Sequence, residues 1–235
     1  MHMGMQAVRN IEDSYQMARS DWLLIFIKHF SAITQFLTWP IAYLFFNILY
    51  KVEIHGKDNL DRLKSPFIII SNHLSIFDSF IFRLILGIYT NHLPLRFMAV
   101  KDFDNPILKI LKKLLIVDLV YILFGVFVVY QGRGIHKNLE EAIRIIKNNG
   151  NIVIYPEGSI VYNGKIGDFK HGASVLAKTT GVNVLPISMR IEKGRIRKRF
   201  IINIGKDIKY SKSDSTTELT RIFRNIITNL HNRNL

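Results

Sequence analysis

Residues 67–86 read FIIISNHLSIFDSFIFRLIL, and this stretch decides the class of fold. The apolar run Phe67–Ser71 has the length and composition of a buried strand. A segment in which apolar residues recur at helical spacing, Ser75–Leu86, follows after a short turn. The stretch therefore predicts a strand, a turn and a helix in direct succession.

The same succession recurs along the rest of the chain. Helical spacing covers 138–147, with Gly150 expected as the stop, and again 172–180. Apolar runs of strand length cover 152–155 and 184–189. Strands that alternate with helices are typical of a parallel sheet covered on both faces. We therefore predict an α/β fold in which a mostly parallel sheet is flanked by helices.

Two local signals predict how the chain closes. Residues 192–194, Glu-Lys-Gly, indicate a hairpin that leads into a strand at 196–204. Ser215 and Glu218 have the spacing of a capping box, which predicts the start of a final helix.

Composition narrows the partners of this chain. Its 235 residues are enough for one domain of this class, and 32 Lys and Arg against 18 Asp and Glu give a net charge of +14. Such a charge favours an anionic partner: nucleic acid, a phospholipid surface or an acidic protein. A nucleic-acid binder needs wet basic surface, whereas 49% of these residues are hydrophobic. We therefore predict a phospholipid membrane as the partner and no nucleic acid. The absence of cysteine excludes disulfides and a thiol nucleophile.

The membrane segment is expected near the amino terminus. Residues 30–50 form a run of 21 residues without a charged side chain or histidine, about the length that spans a bilayer. Pro40 interrupts the run and predicts a kink, so the segment is compatible with a span or with a helix pair lying in the interface. We predict an extension over 1–21, a membrane-anchoring helical segment over 22–50 and one α/β domain over 51–235.

A second apolar stretch, Leu114 to Tyr130, is broken by Asp118. Because an ionised carboxylate in lipid is costly, we interpret the stretch as buried structure, which is also compatible with contact to the membrane. Its end, GVFVVY at 125–130, has the composition of a core strand.

The clearest chemical signal is His73 followed five residues later by Asp78. A histidine that takes a proton from an alcohol needs a partner for its other ring nitrogen, and a carboxylate supplies orientation and charge. Five residues turn a helix by about 500°, so the two side chains meet only if His73 lies in the turn before the helix. The spacing is equally compatible with a capping box formed by Ser75 and Asp78, with His73 as an ordinary turn residue.

Further blocks give these residues a family context. Asn72, His73 and Asp78 match an NHxxxxD block, and PEGS at 156–159 is followed by FKHGA at 169–173 and LPIS at 185–188. Together, over roughly residues 50–210, these blocks resemble the lysophosphatidic acid acyltransferase family, of the bacterial 1-acylglycerol-3-phosphate type. The resemblance implies a two-helix membrane motif before a glycerolipid acyltransferase-like α/β domain.

The resemblance also implies a mechanism. His73 is expected to be the general base for the acceptor hydroxyl, and Asp78 is expected to fix its tautomer. A thioester is already activated, so no acyl-enzyme on Ser75 or Ser159 is needed. Backbone N–H groups at the helix start after His73 are the expected stabilisers of the oxyanion. No cofactor is expected, because acyl-coenzyme A or an acylated carrier protein serves as co-substrate.

The expected substrate-binding residues lie in the same blocks: Asn72, Lys101, Arg133, Glu157, Gly158 and Ser159. Glu157 is expected to hold the acceptor headgroup, or alternatively to brace its turn together with Gly158. Ile160 occupies the position of the family's phosphate-binding arginine. Either Lys101 and Arg133 bind the anion instead, or the acceptor carries a different headgroup. A metal site at His73 and Asp78 is not expected, because no third ligand is evident.

The prediction is therefore a membrane-associated acyltransferase with its catalytic domain on the cytoplasmic face. Its acceptor would be a lysophospholipid, with 1-acylglycerol 3-phosphate expected first. The alternatives are transfer to a lyso-aminolipid or glycolipid, and a lipid-binding relative without activity.

Overall fold

The computed structural model describes residues 25–75, 77–86, 92–100, 110, 113, 116–130, 134–162, 164–211 and 213–233. The helices are α1 Ile25–Leu37, α2 Trp39–Leu49, α3 Lys57–Asp61, α4 Asp78–Leu86, α5 Ile116–Phe124, α6 Ile135–Lys147, α7 Gly172–Thr180 and α8 Thr216–His231. The strands are β1 Tyr50–His55, β2 Phe67–Ser71, β3 Leu95–Val100, β4 Val126–Val129, β5 Asn151–Ile154, β6 Asn183–Glu192 and β7 Lys198–Ile204.

These strands form one sheet in the order β1-β7-β6-β2-β5-β3-β4. The predicted hairpin makes β6 and β7 antiparallel, and the other neighbouring strands pair in parallel. The predicted α/β fold with a mostly parallel sheet is confirmed. The central strands β2 and β5 are buried along their whole length, as expected of strands covered on both faces.

Side chains alternate between two cores, one on each face of the sheet. Phe67 and Ile69 of β2 pack on one face together with buried residues of α2 and α4. Ile68 and Ile70 pack on the other face against α6, α7 and α8. The period-two alternation of a strand produces this division, and it fixes which helices can reach the end of β2 from each side.

The predicted stop of α6 lies one residue away from where it was expected. Asn149 adopts the left-handed backbone conformation, with φ 57°, which was expected of Gly150. The N–H groups of Asn149 and Gly150 donate to the carbonyls of Ile146 and Ile145 at 3.0 and 2.9 Å, which is the pattern of a Schellman motif. A glycine follows because a Cβ at position 150 would lie 2.6 Å from the Ile145 side chain.

The predicted kink in the amino-terminal apolar segment is confirmed. α1 and α2 are bent by 42° to each other, and Pro40 lies in the first turn of α2, a position that tolerates proline. Within the described residues no single helix is long and apolar enough to cross a membrane, whereas this bent pair reaches the required length and composition. Residues 22–24 of the predicted anchor lie outside the described residues.

Gln35 attaches α1 to the rest of the molecule. Its buried amide donates to the carbonyls of Leu95 and Phe124 at 2.8 and 3.0 Å, and its oxygen accepts from the Leu95 N–H at 3.0 Å. Every polar atom of this side chain is therefore matched inside the protein. α1 is an integral part of the fold, with its remaining faces turned outward.

The interpretation of the stretch from 114 to 130 as buried structure is wrong for its helix. In α5 only Val117 and Phe124 are buried, whereas Ile116, Leu119, Val120 and Ile122 are exposed. β4 follows as the edge strand of the sheet, with Phe127 buried and its neighbours half-buried. Asp118 lies on the exposed side of α5, so burying this carboxylate is not required.

Candidate active site

Two turns meet at the carboxyl ends of neighbouring parallel strands. β2 ends at Ser71 and β5 at Ile154, and Ile70 pairs with Ile154 in the ladder between them. The chain that leaves β2 therefore runs beside the chain that leaves β5. Ligand sites of open α/β sheets lie at such ends. We call residues 72–75 with 77 and 78 the His73 turn, and residues 155–161 the Glu157 turn.

The His73 turn brings His73 and Asp78 into contact. The distance from His73 Nδ1 to Asp78 Oδ2 is 2.7 Å. α4 begins at Asp78, so His73 precedes the helix, as the spacing required. The His73 side chain is 21% exposed and that of Asp78 is 1% exposed. An imidazole that donates its Nδ1 proton to a carboxylate keeps a lone pair on Nε2, and this is the form a general base needs.

Asp78 also organises the backbone of the turn. Its carboxylate accepts from the Leu74 N–H at 2.8 Å, from the Ser75 N–H at 3.1 Å and from the Ser75 hydroxyl at 2.9 Å. The contact with His73 and the bracing of the helix start, considered as alternatives from the spacing, are both present. The N–H groups of Phe77 and Asp78 are likewise bonded, to Ser75 oxygens. The N–H groups of Leu74, Ser75, Phe77 and Asp78 are therefore all engaged within the turn. For these four residues the expectation that N–H groups at this helix start stabilise an oxyanion is wrong.

Asn72 has a positioning role in this structure. Its side chain donates to the Met189 carbonyl at 2.9 Å and accepts from the Met189 N–H at 2.8 Å. The residue is buried, so it extends the pairing of β2 with β6 by one side chain. Sequence reasoning grouped Asn72 with the substrate-binding residues, but both ends of its amide are occupied by backbone. It fixes the place where His73 leaves the strand.

Tyr155 forms one wall of the site. Its ring stacks on the His73 ring with centroids 4.1 Å apart and an interplanar angle of 11°. Its hydroxyl is buried and has no hydrogen-bond partner among the described residues. Burial, with the nearby charge of Asp78, raises the pKa of Tyr155 well above its usual value. Tyr155 therefore stays neutral and restrains the imidazole plane. Sequence reasoning missed this contact, although its position one residue before PEGS was a signal.

Glu157 holds the two turns together. Its Oε2 accepts from the His73 N–H at 2.8 Å, and its Oε1 accepts from the Gly167 N–H at 2.7 Å. The Val161 N–H returns a bond of 3.0 Å to the His73 carbonyl. Burial raises the pKa of Glu157, and these N–H donors oppose that shift. Both carboxylate oxygens are engaged, which agrees with the expectation that Glu157 braces the turn.

The outer part of the Glu157 turn is open to solvent. Gly158 has φ 73°, a conformation that favours glycine, and Gly158 and Ser159 are exposed. The Lys170 side chain lies along Gly158, so closely that a Cβ on Gly158 would lie 2.7 Å from Nζ. Sequence reasoning quoted Lys170 within the FKHGA block but assigned it no role. Lys101 and Arg133, the predicted cations, lie outside the described residues.

The described residues around His73 were also considered as metal ligands. Within the described ranges there is no group of three histidine, cysteine, aspartate or glutamate side chains that could hold a metal ion. At the carboxyl ends of β2 and β5 the structure brings together the hydrogen-bonded pair His73–Asp78 and the exposed residues Gly158 and Ser159. The ammonium group of Lys170 lies against Gly158.

Comparison with known proteins places this arrangement in context. A family model described as Acyltransferase matches residues 51–190. The chain is 29% identical over 161 residues to the 1-acyl-sn-glycerol-3-phosphate acyltransferase of Borreliella burgdorferi, covering 67% of this chain and 58% of that protein. It is 28% identical over 166 residues to the probable 1-acyl-sn-glycerol-3-phosphate acyltransferase of Mycoplasma genitalium, covering 70% and 57%. This chain thus spans somewhat more than half the length of these two relatives.

A solved structure shares the fold. The crystal structure of the 1-acyl-sn-glycerophosphate (LPA) acyltransferase PlsC from Thermotoga maritima aligns with a TM-score of 0.55 and 20% identity. The alignment covers 90% of this chain and 80% of that chain. At this identity the likeness concerns the architecture of the molecule.

Proposed function

Because the chain belongs to the acyltransferase family, we propose that it transfers a fatty acyl group from a thioester to the free hydroxyl of a lysophospholipid. The acceptor we propose first is 1-acylglycerol 3-phosphate, which would give phosphatidic acid. The observation that carries this proposal is the His73–Asp78 contact of 2.7 Å at the carboxyl end of β2. The names of the relatives from Borreliella burgdorferi and Mycoplasma genitalium support the choice of acceptor.

In the proposed step, Nε2 of His73 takes the proton of the acceptor hydroxyl while the hydroxyl oxygen attacks the thioester carbonyl carbon. A carbon–oxygen bond forms and a tetrahedral intermediate results. Collapse of this intermediate breaks the carbon–sulfur bond, and the leaving sulfur takes the proton back from His73. The products are an ester and a free thiol, and His73 ends in its starting form.

Asp78 serves this step without exchanging a proton with substrate. Its negative charge stabilises the imidazolium that exists between the two proton transfers, and its contact with Nδ1 directs the lone pair of Nε2 towards the acceptor. Tyr155 restricts rotation of the ring through its stacking contact of 4.1 Å. Preorganisation of this kind lowers the cost of reaching the reactive geometry.

A panel of acceptors and donors tests the proposal. The purified full chain would be assayed with 1-acylglycerol 3-phosphate, a lyso-aminolipid and a lysoglycolipid, each with acyl-coenzyme A and with acylated carrier protein. We expect ester formation with 1-acylglycerol 3-phosphate and with at least one of the donors. Ester formation only with another lysolipid would replace the acceptor. No ester with any pair would overturn the proposed activity.

Ile160 is the observation that favours the other lysolipids as a second candidate. The family resemblance expects an arginine at this position, and isoleucine cannot pair with a phosphate group. An acceptor with a sugar or zwitterionic headgroup would not require that arginine. The same panel separates the two candidates, since they differ only in the acceptor that gives product.

We also propose that the outward faces of α1, α2 and α5 contact the phospholipid bilayer. Large apolar side chains are exposed on all three, including Leu37 at 64%, Leu44 at 62% and Leu119 at 56%. Exposed patches of this kind mark interaction surfaces on folded proteins. Phe77 of the His73 turn contacts Phe45 of α2, with ring centroids 6.3 Å apart. The proposed membrane face would therefore adjoin the site where a lipid acceptor must enter.

Point substitutions test this surface better than deletion of α1, because Gln35 binds α1 to β3 and α5. We expect Leu37→Asp combined with Leu44→Asp to release the protein from phosphatidylcholine vesicles in a sedimentation assay at high salt. Ile135→Asp is the matched control, because Ile135 is also exposed and begins a helix on the other face of the sheet. Equal sedimentation of the double variant and the wild type would show that attachment lies elsewhere.

A further inference from the structure

The acceptor proposed above carries a phosphate group, and position 160 offers it no cation. A phosphate that loses part of its hydration on binding needs a charged hydrogen-bond donor, since an unpaired buried charge is costly. Ile160 is half-buried and apolar. If the site takes a phosphate, a cation at another position must supply the charge. The predicted Lys101 and Arg133 lie outside the described residues, and Lys170 is a cation that the structure places against the Glu157 turn.

Lys170 is held against the Glu157 turn at two points. Its backbone N–H donates to the Pro156 carbonyl at 2.8 Å. Its side chain crosses the Cα of Gly158, where an added Cβ would lie 2.7 Å from Nζ, 2.9 Å from Cε and 3.0 Å from Cδ. A surface lysine would ordinarily extend away from its backbone into water. Here the absence of a side chain at Gly158 makes room for the ammonium group beside the turn.

The Glu157 turn also contacts the backbone of His73. Glu157 accepts from the His73 N–H, and Val161 donates to the His73 carbonyl at 3.0 Å. The Lys170 ammonium is therefore attached to the immediate surroundings of the proposed base.

The charge of Lys170 is available to a ligand. The residue is exposed, and among the described residues its ammonium forms neither a salt bridge nor a hydrogen bond. The carboxylate of Glu157, in the turn that Lys170 lies along, has both oxygens engaged by backbone N–H groups. A cation that the fold positions, and that no described residue neutralises, can pair with an anion from outside.

We propose that Lys170 binds the phosphate of the acceptor in place of the arginine missing at position 160, an inference that rests on the proposed acyl transfer. Lys170 is thus a specificity-determining residue: it selects acceptors with an anionic headgroup and takes no part in bond making. The phosphates of the acyl donor could pair with an ammonium group in the same way, so the test must measure acceptor and donor separately.

Steady-state kinetics of Lys170→Gln and Lys170→Arg provide the test, in micelles of a neutral detergent so that surface charge does not concentrate the lipid. For Lys170→Gln we expect the KM for 1-acylglycerol 3-phosphate to rise roughly 10- to 100-fold, the value of one charged hydrogen bond. The kcat and the KM for the donor should stay close to wild type, because the phosphate is remote from the reacting bond. Lys170→Arg should recover most of the affinity.

Lys206→Gln is the matched control. Lys206 is exposed and directly follows β7. Because β7 runs antiparallel to β6 and β6 is parallel to β2, Lys206 lies towards the amino-terminal end of β6, whereas His73 follows the carboxyl end of β2. We expect wild-type kinetics for this variant. Thermal melting of each variant would show that the fold is kept.

Equilibrium binding separates failure of this inference from failure of the proposed function. The thermal shift produced by 1-acylglycerol 3-phosphate should exceed that of 1-acylglycerol without phosphate, and Lys170→Gln should abolish the difference. Binding of this kind without turnover would overturn the proposed function and leave the headgroup assignment intact. Turnover with an unchanged acceptor KM in Lys170→Gln, or a rise in the donor KM instead, would overturn the assignment of Lys170 alone.

Discussion

The His73 turn and the Glu157 turn follow neighbouring strands, but they differ in how their polar groups are used. In the His73 turn the carboxylate of Asp78 accepts from His73, Leu74 and Ser75, and the amide of Asn72 is paired with Met189. In the Glu157 turn the carboxylate of Glu157 is engaged in the same way, whereas the buried hydroxyl of Tyr155 has no partner among the described residues and Ser159 is exposed. Lys170, which lies along the second turn, is exposed as well.

This difference indicates that the two turns have different roles in the proposed reaction. A base must hold one orientation within a fraction of an ångström, so its surroundings are fully bonded. Residues that recognise a substrate must instead keep hydrogen-bonding capacity free until the substrate arrives. The first turn is suited to chemistry and the second to selection of the acceptor. Each prediction below would strengthen or remove this contrast.

The largest effect is expected from His73→Ala. Removing the proposed base should lower kcat by roughly 10²- to 10⁴-fold, with little change in melting temperature, because the side chain is partly exposed and makes one hydrogen bond. Asp78→Asn should also lower kcat by about 10²-fold or more. Because Asp78 accepts several N–H groups, this variant should melt at a lower temperature. Near-normal turnover of folded His73→Ala would remove the chemical role of the first turn.

The next effect is on stability and concerns Asn72. Asn72→Ala should lower the free energy of unfolding by about 2–4 kcal/mol, because it leaves both the N–H and the carbonyl of Met189 buried without their partner. Chemical denaturation measures this value. Ser159→Ala in the second turn is the matched control, since Ser159 is exposed. Equal stabilities would show that the first turn is not held more firmly than the second.

Substitutions of Tyr155 test whether this residue affects His73 through its aromatic ring or through its hydroxyl. Tyr155→Phe keeps the stack on His73 and removes a buried hydroxyl that has no partner among the described residues. We expect unchanged kcat and a gain in stability of up to about 1 kcal/mol. Tyr155→Ala should lower both kcat and the melting temperature. A large loss of kcat in Tyr155→Phe would assign the hydroxyl a part in catalysis.

The two turns also differ in how far they could be predicted from sequence. The contact between His73 and Asp78 joins residues five apart, so the spacing reduced the possibilities to this contact or a capping box, and the resemblance to a known family favoured the contact. The contacts of Asn72 with Met189 and of Lys170 with Gly158 depend on which strands are neighbours and on how a loop returns. Alternating strands and helices predict a parallel sheet, but neither the neighbouring order β6-β2 that brings Asn72 to Met189 nor the path of the loop that returns Lys170 to Gly158.

The surface of the molecule shows a similar limit. The apolar residues of α5 have the same composition as a core helix, and burial was the simpler interpretation. Whether such a helix faces the core depends on the elements that cover it, and those are not encoded in its own sequence. Gln35 shows the opposite: it is a polar residue within an apolar run, yet it is buried. Its side chain forms hydrogen bonds with backbone groups of β3 and α5, which its own sequence does not predict.

The smallest expected effect is that of Ser159→Ala on kinetics, and it bears on the mechanism itself. Ser159 lies beside the site and is exposed, so it is the hydroxyl of the second turn that an acyl-enzyme mechanism would use. A thioester needs no such intermediate, because a deprotonated alcohol can attack it directly. If Ser159 only binds substrate, its loss should raise the acceptor KM by about 2- to 10-fold, the value of one neutral hydrogen bond. The kcat should stay near wild type, and a rapid-quench experiment without acceptor should detect no acylated protein. Loss of kcat as large as that of His73→Ala, together with an acylated serine in the wild type, would move the chemistry into the second turn and end the contrast between the two.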